Sequence, residues 1–323
     1  MANGLHIITG AAGFIGRCLS KRHLDAGDTV LGFDNLCRGT RANIAEFQDN
    51  SRFQFAEVEI ADAAAFEAAL EKSLAGRDAT DAVVWHMAAN SDIPAGVRDP
   101  GIDFRDTFLT SYNTVNAMRK LSLRRIAFAS TSAVYGPLES ALHEDIGPLF
   151  PISNYGAMKL ASEAVISAGV ESFLDQAWIY RFPNVIGPYA THGVIYDFAR
   201  KLRRDPSRLE VLGDGNQQKA YLLVDELVDA MLFIRGKAKD KLNYYNIGPI
   251  DGGVTVRFIT DEVVKAASPN AAVHYTGGAK GWVGDVPKFT YSTQKLNALG
   301  WHPRIGSAEA IRTAIPQIWA ESA

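Results

Sequence analysis

LHIITGAAGFIG, residues 5–16, decides the fold: a short apolar run leads through a glycine-rich turn into a helix-like segment. Gly10, Gly13 and Gly16 permit a tight turn and a close backbone approach. The first N–H groups of the following helix have no partner within that helix and carry partial positive charge, so they can bind an anion. The sequence therefore predicts a strand, a turn that cradles a pyrophosphate, and a helix, in this order.

A second apolar run, residues 29–33, ends at an acidic residue, Asp34. A carboxylate at the end of the second strand can accept hydrogen bonds from both ribose hydroxyls of an adenosine, and its charge repels a 2′-phosphate. This favours NAD over NADP. Ordinary turn glycines and a strand-end cap would explain each residue alone, but not the whole unit of strand, turn, helix and acid.

Apolar runs and helical periodicity alternate through the first half of the chain. Strands that alternate with helices predict a parallel sheet covered on both faces, and runs that are apolar throughout fit strands buried on both sides. The predicted fold class is α/β, a doubly wound parallel sheet followed by a smaller, loop-rich C-terminal part. The predicted strands span 53–58, 82–86, 125–130 and 177–181, and the predicted helices span 14–26, 61–74, 102–121 and 154–168.

After Pro183 the pattern becomes less regular, and glycine, proline and tyrosine cluster in NVIGPYATHG. Helices are predicted at 195–204, 225–234 and 307–319, with a strand at 243–247, and Pro316 is expected to kink or interrupt the last helix. The two predicted domains pack tightly around a cleft. They are a dinucleotide-binding domain, residues 1–183 with a returning segment at about 222–250, and a substrate-binding domain, residues 184–221 and 251–323.

Composition excludes several classes of protein. Lys and Arg total 33 against 36 for Asp and Glu, for a net charge of −3, so no nucleic-acid partner is expected. The 2 cysteines and 7 histidines show no metal or CxxC spacing, and a strand-end histidine such as His86 is expected to be packed and hydrogen-bonded. The sequence contains no membrane-spanning apolar run and begins without a signal peptide pattern, so the expected location is the cytoplasm.

Tyr155 and Lys159 stand four residues apart in a helix-like segment, so both side chains lie on one face. A nearby ammonium stabilises a phenolate and lowers the pKa of tyrosine, whereas the alternative is an exposed tyrosine beside a solvated lysine. The segment STSAVYG, residues 130–136, favours the first interpretation. It follows a strand, so Thr131 and Ser132 are expected at the carboxyl edge of the sheet, where the cradle also lies.

Taken together, these motifs resemble the extended short-chain dehydrogenase/reductase family, within it the NAD-dependent nucleotide-sugar epimerase/dehydratase branch, whose fold is of Rossmann type. The similarity covers essentially the full length of the chain. It rests on TGAAGFIG, DNLCRG at Asp34, HMAAN at His86, STSAVYG, YxxxK at Tyr155, RFPNVIGP around Asn184, GDGNQQKAYLLVDE, YNIG at Tyr245 and GWVGDVP at Gly281.

The resemblance implies a role for each matching residue, and a homodimer formed through helices of the first domain. Tyr155 would be the catalytic base, Lys159 would also bind the nicotinamide ribose, and Thr131, with Ser132 beside it, would hold the hydroxyl being oxidised. The residues expected to bind NAD are Gly10, Gly13, Phe14, Ile15, Gly16, Asp34, Asn35, Arg38, Glu59, Ile60, Ala88, Ala89, Tyr155, Lys159 and Pro183. Those expected to bind the nucleotide sugar are Asn184, Val194, Lys219, Tyr221, Trp282 and Asp285.

The residues after Thr131 indicate which reaction of the branch to expect. Members that eliminate water carry an acidic pair there and uronate decarboxylases carry Ser-Glu, whereas this chain has Ser132 and Ala133. Alanine cannot transfer a proton, so oxidation and re-reduction at one carbon, a 4-epimerisation, is expected. A UDP-hexose of the UDP-glucose/UDP-galactose type is the expected substrate, although Lys219 stands where the branch often has arginine. The alternatives are a 4-ketoreductase or another sugar-nucleotide-modifying enzyme, and a non-enzymatic dinucleotide sensor.

Overall fold

The computed structural model describes residues 4–138, 141–278 and 291–322. The strands are β1 Leu5–Thr9, β2 Thr29–Asp34, β3 Phe53–Glu57, β4 Val83–His86, β5 Arg125–Ala129, β6 Gln176–Arg181, β7 Asn184–Ile186, β8 Arg208–Val211, β9 Gln218–Lys219, β10 Tyr221–Leu223, β11 Leu242–Asn246, β12 Val254–Thr255 and β13 Ala272–Tyr275.

The α-helices follow the same order along the chain. They are α1 Phe14–Asp25, α2 Ala63–Leu74, α3 Ile93–Arg98, α4 Pro100–Asp103, α5 Thr110–Lys120, α6 Asn154–Ser172, α7 Val194–Arg204, α8 Val224–Lys237, α9 Val256–Ala267, α10 Gln294–Leu299 and α11 Ser307–Glu321. Short 3-10 helices span Arg41–Phe47 and Ser132–Val134, and a π-helical segment spans Phe104–Leu109.

Seven parallel strands form the main sheet, in the order β11-β6-β5-β4-β1-β2-β3. Helices α1 and α8 bury Leu19 and Met231 against one face, and α2, α5 and α6 bury Phe66, Met118 and Ile166 against the other. The apolar stripe of each helix is thereby removed from water, which is the main favourable contribution to folding. The predicted α/β, Rossmann-type doubly wound sheet is confirmed.

The strand order places the ligand-binding edge. Strand β1 lies between β2 and β4. The chain therefore adds β2 and β3 on one side of β1 and then crosses over to add β4 on the other side. Open parallel sheets bind ligands at the carboxyl ends of the strands beside such a switch point. In this molecule Thr9, Asp34, His86 and Ala129 end four neighbouring strands at that edge.

A second core is built by the later part of the chain. Helices α7, α9 and α11 and the strand pairs β7–β10 and β8–β13 bury apolar side chains that include Phe198, Leu209, Ile259 and Ile311. Between these elements, β11 returns to the main sheet and pairs with β6. The assignment of the two parts as a cofactor domain and a substrate domain stays a prediction.

Two helices differ from the sequence prediction. The helix expected over 102–121 is divided, because a π-helical segment separates α4 from α5. Of the kink or interruption predicted at Pro316, the interruption is wrong, since α11 continues through that residue. Proline lacks an N–H and strains a helix, but Pro316 lies on the exposed side, while Ile311, Ile315 and Ile318 anchor the opposite side in the core.

A cluster of two histidines and a carboxylate forms at the amino edge of the sheet, which the sequence spacing does not reveal. His6 Nε2 and His23 Nδ1 lie 3.2 and 2.9 Å from Asp28 Oδ2, and the Trp85 Nε1–H donates to His6 Nδ1 at 3.1 Å. The tryptophan bond requires an unprotonated Nδ1, so His6 Nε2 carries a proton and donates it to Asp28.

Among the described helices, none is long and apolar enough to cross a membrane.

Candidate active site

The turn between β1 and α1 leaves no room for a side chain at Gly10 or Gly16. Gly10 has a φ of +70°, and a Cβ there would lie 2.8 Å from the Ala88 nitrogen. A Cβ on Gly16 would overlap the Gly10 carbonyl oxygen. Gly13 precedes the first helical residue, and no side chain caps that helix end. The free N–H groups of α1 therefore face a turn that only glycine can form, which fits a bound pyrophosphate.

Asp34 ends β2 beside this turn, and its carboxylate is held by the backbone. The N–H groups of Ala12 and Leu36 donate to its two oxygens at 3.0 and 2.8 Å. Burial raises the pKa of Asp34, and the backbone hydrogen bonds oppose that rise. A fixed carboxylate at this point can accept hydrogen bonds from a ribose.

Two further predicted residues are linked at the same edge, and a third is held in an ion pair. Asn35 Nδ2 donates to Glu59 Oε2 at 2.8 Å, and Glu59 Oε1 accepts from the Ala61 N–H at 2.9 Å. Arg38 pairs with Asp92 at 2.9 Å. Asn35 and Glu59 therefore hold each other in place after the ends of β2 and β3, and Arg38 is anchored to Asp92 through one of its donors.

The other residues predicted to bind NAD occupy the first turn of α1 or follow strands of the main sheet. They are Phe14 and Ile15 in α1, Ile60 after β3, Ala88 and Ala89 after β4, and Pro183 after β6. These residues come from four separate segments, and their contact with NAD stays a prediction.

Thr131, Tyr155 and Lys159 converge at the same edge of the sheet. Thr131 follows β5 and its Oγ1 accepts from the Ala133 N–H at 3.1 Å, which starts the short helix that carries Ser132. The Tyr155 hydroxyl hydrogen-bonds to Thr131. One turn further along α6, Lys159 is 2% exposed and its Nζ donates to the Ala129 carbonyl at 2.6 Å.

Burial dominates the titration of this pair. It raises the pKa of Tyr155, and the hydrogen bond from Thr131 opposes that rise. It lowers the pKa of Lys159 to about 7. The sequence predicted that the ammonium lowers the pKa of Tyr155, but the Lys159 nitrogen lies 5.9 Å from the Tyr155 ring centre, and burial outweighs it. The phenolate therefore needs further positive charge when a ligand is bound.

The residues predicted to bind substrate lie in the second part of the chain. Asn184 and Tyr221 are register partners in β7 and β10, and Asn184 Nδ2 donates to the Ala220 carbonyl at 3.4 Å. Lys219 lies in β9, and Val194 begins α7. Trp282 and Asp285 lie outside the described residues.

A buried polar network beneath Lys159 was missed in the sequence. Glu163 accepts two hydrogen bonds from Arg181, at 3.0 and 2.6 Å, and one from the Ser130 hydroxyl. Arg181 also donates to the Tyr135 hydroxyl at 3.0 Å. The i, i+4 spacing of Lys159 and Glu163 was the available signal, but the contact with Arg181 depends on the tertiary fold.

His86 is fully buried and hydrogen-bonded, as predicted. Its Nδ1 lies 2.7 Å from Thr9 Oγ1 and its Nε2 lies 3.0 Å from Ser111 Oγ. Burial lowers its pKa to about 3, and the charge of Lys159 acts in the same direction. His86 is therefore a neutral packing residue between β1 and α5.

This fold and this edge of the sheet define a dinucleotide-binding α/β protein with a tyrosine and a lysine beside the cofactor cradle. The sequence profile of the NAD dependent epimerase/dehydratase family matches residues 6–248. The chain belongs to that family and is an NAD-dependent enzyme. The cradle that only glycine can form and the fixed Asp34 carboxylate both fit this cofactor.

Several proteins with related names are similar to this chain over almost its whole length. A crystal structure of UDP-galactose 4-epimerase superposes with a TM-score of 0.84, at 31% identity, and covers 98% of this chain and 99% of its own. UDP-glucose 4-epimerase of Mycolicibacterium smegmatis is 28% identical and covers 96% of each chain. dTDP-glucose 4,6-dehydratase 1 of Escherichia coli is 26% identical, covering 96% of this chain and 91% of its own. The proteins that are similar to this chain therefore include two epimerases and one dehydratase.

Proposed function

We propose that this protein is an isomerase, an NAD-dependent nucleotide-sugar 4-epimerase that acts on a UDP-hexose of the UDP-glucose/UDP-galactose type. The observation that carries the proposal is Ala133, which lies in the short helix that follows Thr131, the hydrogen-bond partner of Tyr155. A dehydration needs a group there that moves a second proton, and alanine has none. Oxidation and re-reduction at a single carbon needs only Thr131, Tyr155 and Lys159.

The proposed reaction begins with proton removal by Tyr155. Thr131 holds the 4-hydroxyl of the sugar, and the Tyr155 oxygen takes its proton. When bound, oxidised NAD supplies the hydride acceptor and the positive charge that the buried phenolate needs. Lys159 binds the nicotinamide ribose and contributes a second charge. Loss of the carbon-4 hydride to that acceptor, together with the hydroxyl proton to Tyr155, would give a 4-keto sugar. If this sugar then presented its other face, carbon 4 would take the same hydride back and Tyr155 would return the proton to the oxygen, with no net change in the cofactor.

The nucleotide part must be held while the sugar turns. We assign this role to Asn184, Val194, Lys219 and Tyr221 in the second part of the chain, together with Trp282 and Asp285. Lys219 would bind the pyrophosphate as a point charge, where a guanidinium would bind with two parallel hydrogen bonds. The names of the relatives, UDP-galactose 4-epimerase and UDP-glucose 4-epimerase, support a uridine nucleotide.

Other reactions of the family are the second candidate. A 4-ketoreductase could use the same Thr131, Tyr155 and Lys159, and the dTDP-glucose 4,6-dehydratase relative shows that eliminations occur among similar chains. A ketoreductase consumes NADH in stoichiometric amounts, whereas an epimerase has no net cofactor turnover. A non-enzymatic dinucleotide sensor is disfavoured by the intact catalytic pair.

The test is a panel of UDP-, GDP-, CDP- and dTDP-hexoses incubated with the purified protein and followed by proton NMR. We expect inversion at carbon 4 with a UDP-hexose and no change in NADH absorbance. The absence of inversion at any carbon across the panel would retire the epimerase proposal. Consumption of added NADH together with a 4-keto sugar would identify the ketoreductase.

A cytoplasmic homodimer is part of the proposal. Phe104 and Tyr112 are 52% and 46% exposed, and Phe108 lies between them at 6.0 and 6.2 Å from their ring centres. This aromatic row runs along the outer side of the π-helical segment and α5. A row of exposed aromatic rings is characteristic of a surface that packs against another protein, and a second copy is the proposed partner.

A further inference from the structure

The carboxylate of Glu163 lies one helical turn beyond Lys159 in α6 and is itself buried. We propose that Glu163 is a positioning residue of the active site, which keeps the buried Lys159 side chain in its charged form and in place. This inference rests on the proposed function for its consequences in catalysis. Its physical content, the charge state of one lysine, can be measured without any substrate.

Lys159 needs such a partner because its side chain is buried away from water. Its ammonium has three donors, and its hydrogen bond in the described structure is to the Ala129 carbonyl. The Phe128 ring lies 4.7 Å away and contributes a weak attraction. An ammonium removed from water loses its hydration and tends to lose its proton. The loss of that proton would leave a neutral amine beside the phenolate that the reaction needs.

The charged and titratable groups around Lys159 come from four elements. On α6 they are Tyr155 and Glu163, on β4 the neutral His86, at the end of β6 Arg181, and on α4 the carboxyl of Asp103 near Tyr155. Of these described groups, Glu163 is the one whose charge raises the pKa of Lys159. Asp103 acts on Tyr155 instead.

Glu163 is held from two sides, so its charge cannot move away from Lys159. The Ser130 hydroxyl donates to one oxygen, and Arg181 donates to both oxygens from Nε and Nη2. Arg181 is in turn fixed by the Tyr135 hydroxyl and the Glu144 carbonyl. Arg181 balances the cost of burying the carboxylate, because a bidentate pair compensates for lost hydration. The network therefore ties α6, which carries Tyr155 and Lys159, to the ends of β5 and β6.

The first test follows the titration of Lys159 directly. The full-length NAD-bound protein is labelled with carbon-13 at the lysine ε-carbons, and the Lys159 signal is assigned by its loss in Lys159→Met. We expect Glu163→Gln to lower the pKa of Lys159 by about one unit or more, because it removes a unit charge one helical turn away in a buried site. Glu163→Asp keeps the charge and should restore most of the shift.

Ser130→Ala is the matched control, since it removes a hydrogen bond to the same carboxylate without removing its charge. If Glu163 acted only through its hydrogen bonds, Ser130→Ala and Glu163→Gln would change the pKa of Lys159 alike. If it acts through its charge, only Glu163→Gln should lower that pKa. An unchanged Lys159 pKa in folded Glu163→Gln would overturn the proposal. If Glu163→Gln does not fold, Glu163→Asp replaces it, because its shorter side chain draws the charge away from Lys159. The proposal then expects a small fall in the Lys159 pKa in Glu163→Asp and none in Ser130→Ala, and a fall in Ser130→Ala with none in Glu163→Asp would overturn it.

The second test measures turnover of UDP-galactose against pH. In Glu163→Gln the alkaline limb of kcat should move to lower pH by the amount that the NMR titration gives, with KM little changed. In Ser130→Ala the alkaline limb of kcat should stay at the same pH as in the parent protein, even if kcat itself falls. No turnover by the parent protein would contradict the proposed function alone, since the NMR result stands without it. Parent turnover with an unmoved limb in Glu163→Gln would contradict the role of Glu163.

Discussion

Tyr155 is the residue on which the proposed reaction depends most, because its phenolic oxygen exchanges the proton with the sugar. Tyr155→Phe removes that oxygen and keeps the ring. We expect kcat to fall by about 10³-fold or more, in the range that general acid–base groups contribute. Bound NAD should be retained, which absorbance of the cofactor released on denaturation will show. Tyr275→Phe, on strand β13, is the control for loss of a hydroxyl, and near-normal turnover in Tyr155→Phe would refute the assignment.

The cluster of His6, His23 and Asp28 predicts how stability depends on pH. Burial lowers the pKa of His6 to about 3, and it also lowers that of His23. The unfolded chain then binds more protons than the folded one below about pH 6.5, so stability is present above that pH and is lost as pH falls toward 3. Hydrogen bonds from His23 and Gly4 lower the pKa of Asp28 to about 2. Protonation of Asp28 therefore causes a further loss of stability between about pH 4 and 2.

Urea unfolding at a series of pH values tests this expectation. Between about pH 6 and pH 4, each histidine that stays neutral in the folded protein lowers the free energy of unfolding by at most about 1.4 kcal/mol for each unit that the pH falls. We expect His6→Gln to be less stable than the parent protein at pH 7.5. Its free energy of unfolding should fall less on acidification, because glutamine takes up no proton. Equal slopes in His6→Gln and the parent protein would show that His6 does not carry the effect.

Residues in short local motifs could be predicted from the sequence, and residues that meet through the fold could not. Gly10, Asp34 and Tyr155 each stand in a motif whose spacing follows from one strand, one turn or one helix. Glu163 and Arg181 meet only because α6 packs against β6. The raised pKa of Tyr155 was likewise not predictable, since it depends on how deeply the packed helix buries the ring.

The strand, glycine turn and helix at the N-terminus form the element that positions the cofactor. Gly16→Ala places a Cβ against the Gly10 carbonyl, so the turn must open. We expect NAD affinity to fall by at least about tenfold, equivalent to about 1.4 kcal/mol. Gly236→Ala, in α8, is the matched control because a Cβ there meets nothing within 4 Å. Calorimetric titration of NAD into both variants gives the measurement, and parent-like affinity in Gly16→Ala would contradict the cradle.

At the scale of elements, periodicity predicted most helices to within a few residues. The first was expected at 14–26 and spans Phe14–Asp25. The π-helical segment at Phe104–Leu109 was missed because hydrophobic spacing does not reveal one additional residue in a turn. The parallel pair β8–β13 was also missed, since strands of four residues each give weak patterns. Helix α9 was missed although it is as long as α1 and buries Ile259 and Val263 at the i, i+4 spacing.

At the scale of the whole molecule, the exposed aromatic row predicts the state of association. Phe104→Glu places a charge in the proposed interface, where burying it without a partner is unfavourable. Light scattering after size exclusion should show a dimer for the parent protein and a monomer for Phe104→Glu. Phe150→Glu is the control, because Phe150 is 72% exposed but lies outside the row. A parent protein that is already monomeric would contradict the homodimer.

One measurement tests the central claim most directly: the fate of deuterium at carbon 4 of UDP-galactose. The labelled sugar is incubated in ordinary water with the purified protein, and the product is analysed by deuterium and proton NMR. An epimerase returns the same hydride to the same carbon, so the predicted product is UDP-glucose that keeps deuterium at carbon 4. Deuterium transferred to carbon 6, with loss of the 6-hydroxyl, would instead show a dehydratase and contradict the proposed function.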